Sequence, residues 1–328
     1  MRTRTSLGLA VWLSVACRAA PPTEPPAART EAVAAPVAIP PRVGATIRAD
    51  DGHPLSLWSR VPSRPRGAIL LVHGRTWSAR PDFDLEVAGR DRSLMIALAR
   101  AGWATYALDL RGYGETPRDA SGWNTPDRAA KDLAAAVAHV RAAHPELAPP
   151  AVLGWSLGSL VAQLTAQRDP ASISALVLYG YPRDPDAPGR TTAMPGATPE
   201  ATPKREANTA AAAASDFITP GSIDRASIDA FVAAALAADP IRADWRAMET
   251  FAELDPAAVH TPTLVIHGAG DPYAPIANQA KLFTRLGDDD RAWVVLAGGD
   301  HAAHLEDCGD AFVHAVLGFV ERPGSRRQ

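Results

Sequence analysis

The sequence predicts an α/β fold in which a mostly parallel central sheet carries helices on both faces. Two observations point there. From Ala45 onward, short apolar runs alternate with longer amphipathic ones, the pattern of strands crossing over through helices. The chain of 328 residues, 47% hydrophobic and 21% charged, is also long enough to bury a large core, either as one domain with an insertion or as two domains.

The first residues stand apart from that alternation. Arg2 and Arg4 precede an apolar run from Leu7 to Val15, which is followed by small residues and Cys17. The run is shorter than the ~20 apolar residues a membrane-spanning helix needs, so residues 1–19 read as an export signal. Leu13-Ser14-Val15-Ala16-Cys17 resembles the lipobox of bacterial lipoproteins, in which the cysteine is lipidated. It departs from that pattern at Ser14, where an aliphatic residue is usual. Residues 20–42, rich in Ala and Pro, fit a stiff tether. The expectation is a lipid-anchored protein facing the periplasm or cell exterior, with a soluble exported protein cleaved near Ala19 as the alternative. Of the two cysteines, only Cys308 lies in the body of the chain, and it reads as a structural or incidental thiol.

Thr46–Ile47 and Leu55–Trp58, separated by Asp51-Gly52, are predicted to form an antiparallel hairpin leading into the sheet. Buried strands follow at Ala68–Val72, Ala104–Leu108, Ala151–Leu153, Ala175–Tyr179, Leu264–Ile266 and Trp293–Leu296. Helices are expected at Leu94–Arg100, Ala129–Arg141, Leu157–Gln167, Ile276–Leu286 and Ala311–Val320. The core therefore comprises residues 43–180 and 261–328. Between them the alternation breaks. Residues 181–260 begin irregular and rich in Pro and Gly, then turn to alanine with Phe217, Ile223, Phe231, Leu236, Ile241, Trp245 and Phe251 spaced along them. This segment is expected to be a cap of about three helices inserted after the sixth strand; a peripheral insertion with no role at the site is the alternative. No internal repeat is evident.

Net charge is −3, from 33 basic and 36 acidic residues without a long run of either sign. Nothing there suggests nucleic-acid binding, and a small neutral or apolar partner is the natural expectation.

The stretch Gly154-Trp155-Ser156-Leu157-Gly158 poses the chemical question. A serine hydroxyl is a nucleophile only beside an imidazole base whose tautomer a third group fixes, and with donors for the oxyanion. In open α/β sheets such groups gather at the carboxyl ends of strands. Ser156 follows one strand end, Asp271 another and His301 a third, in the chain order Ser, Asp, His. The two glycines relieve a tight strand-to-helix turn, and the Leu157 N–H at the new helix would be one oxyanion donor.

Here residues 65 to 320 resemble the α/β-hydrolase fold family, in its serine esterase and lipase-like branch. "LLVHGRTW" is similar to the family's oxyanion loop after the third strand, and "LDLRGYGET" to its strand-four ending. "GWSLGS" matches its nucleophile elbow, and "PTLVIHGAGDPYAP" and "GGDHAAHLED" resemble its acid and histidine loops. The resemblance implies that Ser156, Asp271 and His301 form a catalytic triad and that the Arg75 N–H is the second oxyanion donor. It implies no metal and no cofactor. Serine at the nucleophile position sets the chain apart from the dehalogenase and epoxide-hydrolase branches, which use aspartate there.

Each assignment has a rival. His304 competes with His301 as base, and Asp300 and Asp255 compete with Asp271. His301, His304, Asp300 and Glu306 match no strong zinc spacing. His73 and His267 read as loop braces, as do Asp109 and Arg111. Trp77 and Trp155 either line an acyl pocket or only pack. The expected activity is hydrolysis of small to medium apolar carboxylic esters through an acyl-enzyme. A proline-iminopeptidase-like aminopeptidase is the alternative and would need an acidic cap residue to hold the substrate amine; Glu200, Glu206, Asp224, Asp229, Glu249 and Glu253 are available. A tethered, non-catalytic binding protein of the same fold is the alternative from another class.

Overall fold

Five consecutive apolar residues, Ala68–Val72, form a strand with no exposed position, because both of its faces are covered. The computed structural model describes residues 38–186 and 202–322; Cys17, Glu200 and most of the tether lie outside them. Along the chain, β1 (Val43–Arg48) and β2 (Pro54–Arg60) precede β3 (Ala68–Val72), α1 (Ala79–Phe83), α2 (Leu94–Arg100) and β4 (Ala104–Leu108). Next come β5 (Trp123–Asn124), α3 (Pro126–Ala143), β6 (Ala151–Trp155), α4 (Leu157–Arg168) and β7 (Ala175–Tyr179). The inserted segment contributes α5 (Ala210–Ala214), α6 (Arg225–Ala238) and β8 (Asp244–Trp245), and the chain closes with β9 (Thr263–Gly268), α7 (Ile276–Arg285), β10 (Arg291–Leu296) and α8 (Gly309–Val320).

The main sheet has the order β1-β2-β4-β3-β6-β7-β9-β10. The β1–β2 and β2–β4 pairs are antiparallel and the remaining five are parallel. Side chains alternate between its faces as the twofold period of a strand requires. Leu70 and Val72 of β3 join Leu133, Val161 and Leu282 on the face covered by α3, α4 and α7, whereas Ile69 and Leu71 join Leu98, Phe312 and Val316 under α2 and α8. A third, smaller apolar cluster joins the inserted segment to the core: Trp77, Leu85 and Leu305 from below, with Ala213, Ile223 and Phe231 from above.

Helix starts follow local chemistry. Thr125 caps α3 by accepting from the Arg128 N–H, with Pro126 in the first turn, and Asp224 caps α6 by accepting from the Ser227 N–H. β3, β4, β7 and α2 match the predicted bounds, the other predicted strands and α3, α4 and α8 run one to five residues longer, and α7 ends one residue earlier, at Arg285; β6 extends through Trp155, so Ser156 follows it directly. Against an expectation of about three helices, the described residues of the inserted segment hold one helix of five residues, one of fourteen, 3₁₀ turns at Met248–Glu253 and Pro256–Ala258, and β8, which pairs in parallel with β5.

Candidate active site

Ser156 stands where β6 ends and α4 begins, with φ 54° and ψ −121°. A non-glycine residue here is strained, and the surroundings hold it: its N–H donates to the Tyr179 carbonyl and its own carbonyl accepts from the Ser159 N–H, both at 2.9 Å. Serine at a helix start normally turns its hydroxyl back onto the backbone, but Ser156 makes no such bond. The two glycines are required by contact. A Cβ at Gly154 would fall 2.2 Å from the Gly158 carbonyl oxygen, and one at Gly158 would fall 2.3 Å from that of Val72.

Asp271 and His301, thirty residues apart, meet because β9 and β10 are parallel neighbours and their following loops turn the same way. His301 Nδ1 lies 2.8 Å from Asp271 Oδ2, and both side chains are buried. The other oxygen, Oδ1, accepts from the N–H groups of Tyr273 (2.8 Å) and Ala274 (3.1 Å), which fixes the carboxylate plane. Gly180, with φ +55°, begins the loop after β7 beside this pair; a Cβ there would lie 3.1 Å from His301 Cε1 and 3.3 Å from Asp271 Oδ2. The His301 carbonyl accepts from Trp155 Nε1 at 2.8 Å, and Tyr273 packs edge-on to the imidazole.

Ser156 and His301 line one pocket of about 430 Å³, with Gly74, Arg75, Trp77, Trp155 and Leu157 also on its wall. The residues singled out from the sequence therefore converge. Trp77 and Trp155 line the pocket and also pack: Trp77 is buried against Phe231, and Trp155 stacks on Tyr179. The Leu157 N–H is the first of α4 and has no partner within the helix.

The rivals are engaged elsewhere. His304 is buried, with Nε2 2.7 Å from the Asp82 carbonyl and Nδ1 3.0 Å from the Tyr179 hydroxyl; burial lowers its pKa to about 3, which keeps it neutral. Asp300 accepts from the N–H groups of Ile218 and Thr219, and Asp255 from that of Ala257. His267 Nδ1 is 2.9 Å from the Gly268 carbonyl. Arg111 pairs with Asp132 and Asp51, while Asp109 accepts from Trp58 Nε1 and from the N–H groups of Ala79 and Glu115. Burial raises Asp109 to about 7 against those three donors. Among the described residues no group of three or more His, Cys, Asp or Glu side chains is placed to hold a metal ion. Cys308 is half-buried, and burial raises its thiol to about 11, away from reactivity.

Two carboxyl groups on the pocket wall escaped sequence reading. Asp82 of α1 is fully buried and Oδ1 lacks a partner, while Oδ2 is 3.4 Å from the Gly74 N–H; burial, with Asp216 nearby, raises its pKa well above the usual range. Asp216, from the inserted segment, accepts from Trp77 Nε1 at 2.8 Å. Burial raises it to about 6, although His301 and the Trp77 N–H favour its charge. The cap carboxylates singled out from the sequence lie elsewhere: Asp224 pairs with Arg90 and Arg92, Asp229 with Arg225, and Glu253 with Arg168. No pattern in the sequence distinguishes Asp216 from them.

A mostly parallel sheet in this strand order, with a strained serine at one strand end and a His–Asp pair at two others, defines a hydrolase of the α/β-hydrolase fold. The match to known proteins is more particular: residues 63–307 match the family model described as serine aminopeptidase, S33, and the chain belongs to that hydrolase family. It is 28% identical over 258 residues, 74% of this chain and 83% of the relative, to a monoacylglycerol lipase of Mycolicibacterium smegmatis. Among solved structures it resembles a hydrolase from Pseudomonas aeruginosa (TM-score 0.61, 22% identity, 85% of this chain and 98% of that one). It also resembles a thermophilic esterase from Thermogutta terrifontis (TM-score 0.61, 20% identity, 85% and 98%). The chain is thus an enzyme of the α/β-hydrolase class.

Proposed function

We propose that the chain is a serine hydrolase that cleaves small to medium apolar carboxylic esters through an acyl-enzyme. The observation that carries the reading is the bond between His301 Nδ1 and Asp271 in the pocket that Ser156 lines. With the Nδ1 proton held by the carboxylate, Nε2 of a neutral imidazole is left as the base. Ser156 Oγ attacks the acyl carbonyl carbon and its proton passes to His301; the oxyanion is met by the N–H groups of Leu157 and Arg75. Collapse returns the proton from His301 to the departing alcohol. Water, deprotonated by His301, then attacks the acyl-enzyme and frees Ser156. Trp77, Trp155, Leu160 and Met248 on the pocket wall favour an uncharged acyl chain, in keeping with the lipase among its relatives.

The aminopeptidase reading is kept alive by one observation: Asp216 supplies an acidic side chain from the inserted segment in the same pocket, where a substrate ammonium group would be met. The test sets a chain-length series of p-nitrophenyl esters beside proline and alanine p-nitroanilides, with wild type and Ser156→Ala. Ester turnover lost in Ser156→Ala is expected. Turnover of the anilides in preference to the esters would favour the aminopeptidase. Wild type inert on both, with Ser156 unreactive to a fluorophosphonate, would favour a binding protein.

A further inference from the structure

The loop His73–Ser78, which carries the Arg75 N–H, is held from both sides. From the core, His73 Nε2 accepts from the Leu110 N–H at 3.1 Å, so the ring proton is on Nδ1 and is donated to the Gly74 carbonyl at 2.8 Å. The Gly74–Arg75 peptide is trans, so anchoring that carbonyl aims the Arg75 N–H the opposite way.

The remaining contacts come from the inserted segment and from Tyr113 in the loop after β4. The Arg75 carbonyl accepts from the Tyr113 hydroxyl, which spends its only proton there, and the same hydroxyl accepts from Trp245 Nε1 at 2.7 Å. Asp216 takes the Trp77 indole N–H at 2.8 Å. Asp239, buried at the end of α6, accepts from the Ser78 N–H and the Gly114 N–H, each at 2.8 Å, and so ties the loop after β3 to the loop after β4. Two side chains of the inserted segment thus hold the six-residue loop directly, at Trp77 and Ser78, and a third, Trp245, reaches Arg75 through Tyr113.

We infer that the inserted segment is a positioning element for the oxyanion site, acting chiefly through the relay Trp245–Tyr113–Arg75. Trp245 is a positioning residue: it touches no substrate and acts through Tyr113, whose hydroxyl it orients toward the Arg75 carbonyl. A rotation of the following peptides would displace the Arg75 N–H relative to that of Leu157. The cost falls on the tetrahedral species, where negative charge has developed, more than on bound substrate. The inference rests on the proposed serine-hydrolase reading.

The test is Trp245→Phe, which keeps an aromatic ring and removes the donor, beside Tyr113→Phe and the double variant, with an alkylboronic acid as tetrahedral-adduct probe. A ~1 Å displacement in such a site costs ~10²-fold, so loosening one anchor is expected to lower kcat about tenfold, with KM changed less than about twofold. Boronic acid affinity should weaken by a similar factor. The double variant should be no worse than Tyr113→Phe alone, since Trp245 acts through that hydroxyl. Folded variants with wild-type kcat, or effects that multiply in the double variant, would overturn the inference while leaving the hydrolase reading intact. Should Trp245→Phe fail to fold, Tyr113→Phe decides by the same kcat and boronic acid measurements. A wild type with neither turnover nor boronic acid binding would overturn the underlying reading, and this inference with it.

Discussion

Gly158→Ala is the sharpest test of how the site is spaced. The added Cβ would lie 2.3 Å from the Val72 carbonyl oxygen and 2.5 Å from that of His73. Carbon and carbonyl oxygen rest in contact at about 3.3–3.6 Å, so the gap must open by about 1 Å. Neither wall yields easily. β3 is hydrogen-bonded to β4 on one side and β6 on the other, and α4 is buried from Leu157 to Ala166. The softest response is to push the His73–Gly74 peptide outward, which moves the Arg75 N–H away from that of Leu157. Overpacking of this kind costs ~1–3 kcal/mol of stability, and a ~1 Å misplacement at a reacting centre costs ~10²-fold in rate. The expected result is a melting temperature a few degrees lower and kcat for p-nitrophenyl ester hydrolysis down about 100-fold. Circular dichroism melts and initial rates measure both. A variant that loses stability but keeps kcat within about threefold of wild type would show that the contact serves packing alone and that the spacing of the two donors does not depend on it.

Two further outcomes are expected. Gly318, exposed near the end of α8, has nothing within 4 Å of its would-be Cβ and no left-handed φ, so Gly318→Ala should raise stability by ~0.5–1 kcal/mol in a denaturant melt and leave turnover unchanged; a loss of stability would contradict it. Asp216 titrates at about 6 in the folded chain against an ordinary 3.8, so between those values the unfolded chain ionises first and stability falls as pH rises. Asp216→Asn keeps an acceptor for Trp77 and should flatten that part of the stability–pH curve; parallel curves for variant and wild type would refute the assignment.

The loops proposed as catalytic are legible because each combines a strand end with residues of distinctive chemistry: glycines at close backbone approaches, a serine between them, an Asp-Pro turn and a histidine after Gly298-Gly299. The parallel strands are legible because burial on both faces leaves uninterrupted apolar runs such as "AILLV". What stayed hidden is long-range and polar. Asp216 meets Trp77 across 139 residues, Trp245 meets Tyr113 across 132, and Asp239 meets Ser78 across 161. Each is a single hydrogen bond that leaves no periodicity behind. The β5–β8 ribbon is likewise two residues long on each side, and its partners are separated by more than a hundred residues. α1 is only five residues long, with proline within it, so it offers no amphipathic repeat to read.

Those hidden contacts change what the inserted segment is for. It grips the oxyanion loop through Trp245, Asp216 and Asp239, and it is held in turn by the histidine loop: Asp300 accepts from Ile218 and Thr219, Ser222 donates to Glu306, and the Asp307 N–H donates to the Ser222 carbonyl. The Asp300 N–H donates to Glu306 as well, so this second anchor is built into the turn that presents His301. A substitution at either anchor therefore reaches two parts of the proposed machinery at once, the donors on one side and the base on the other. Sequence drift in the segment that reshapes the acyl pocket must keep both anchors to keep the rate. Selectivity and turnover in this enzyme are consequently coupled through the same stretch of chain, and exchanging the whole segment for that of a relative should alter kcat even for substrates that both proteins accept.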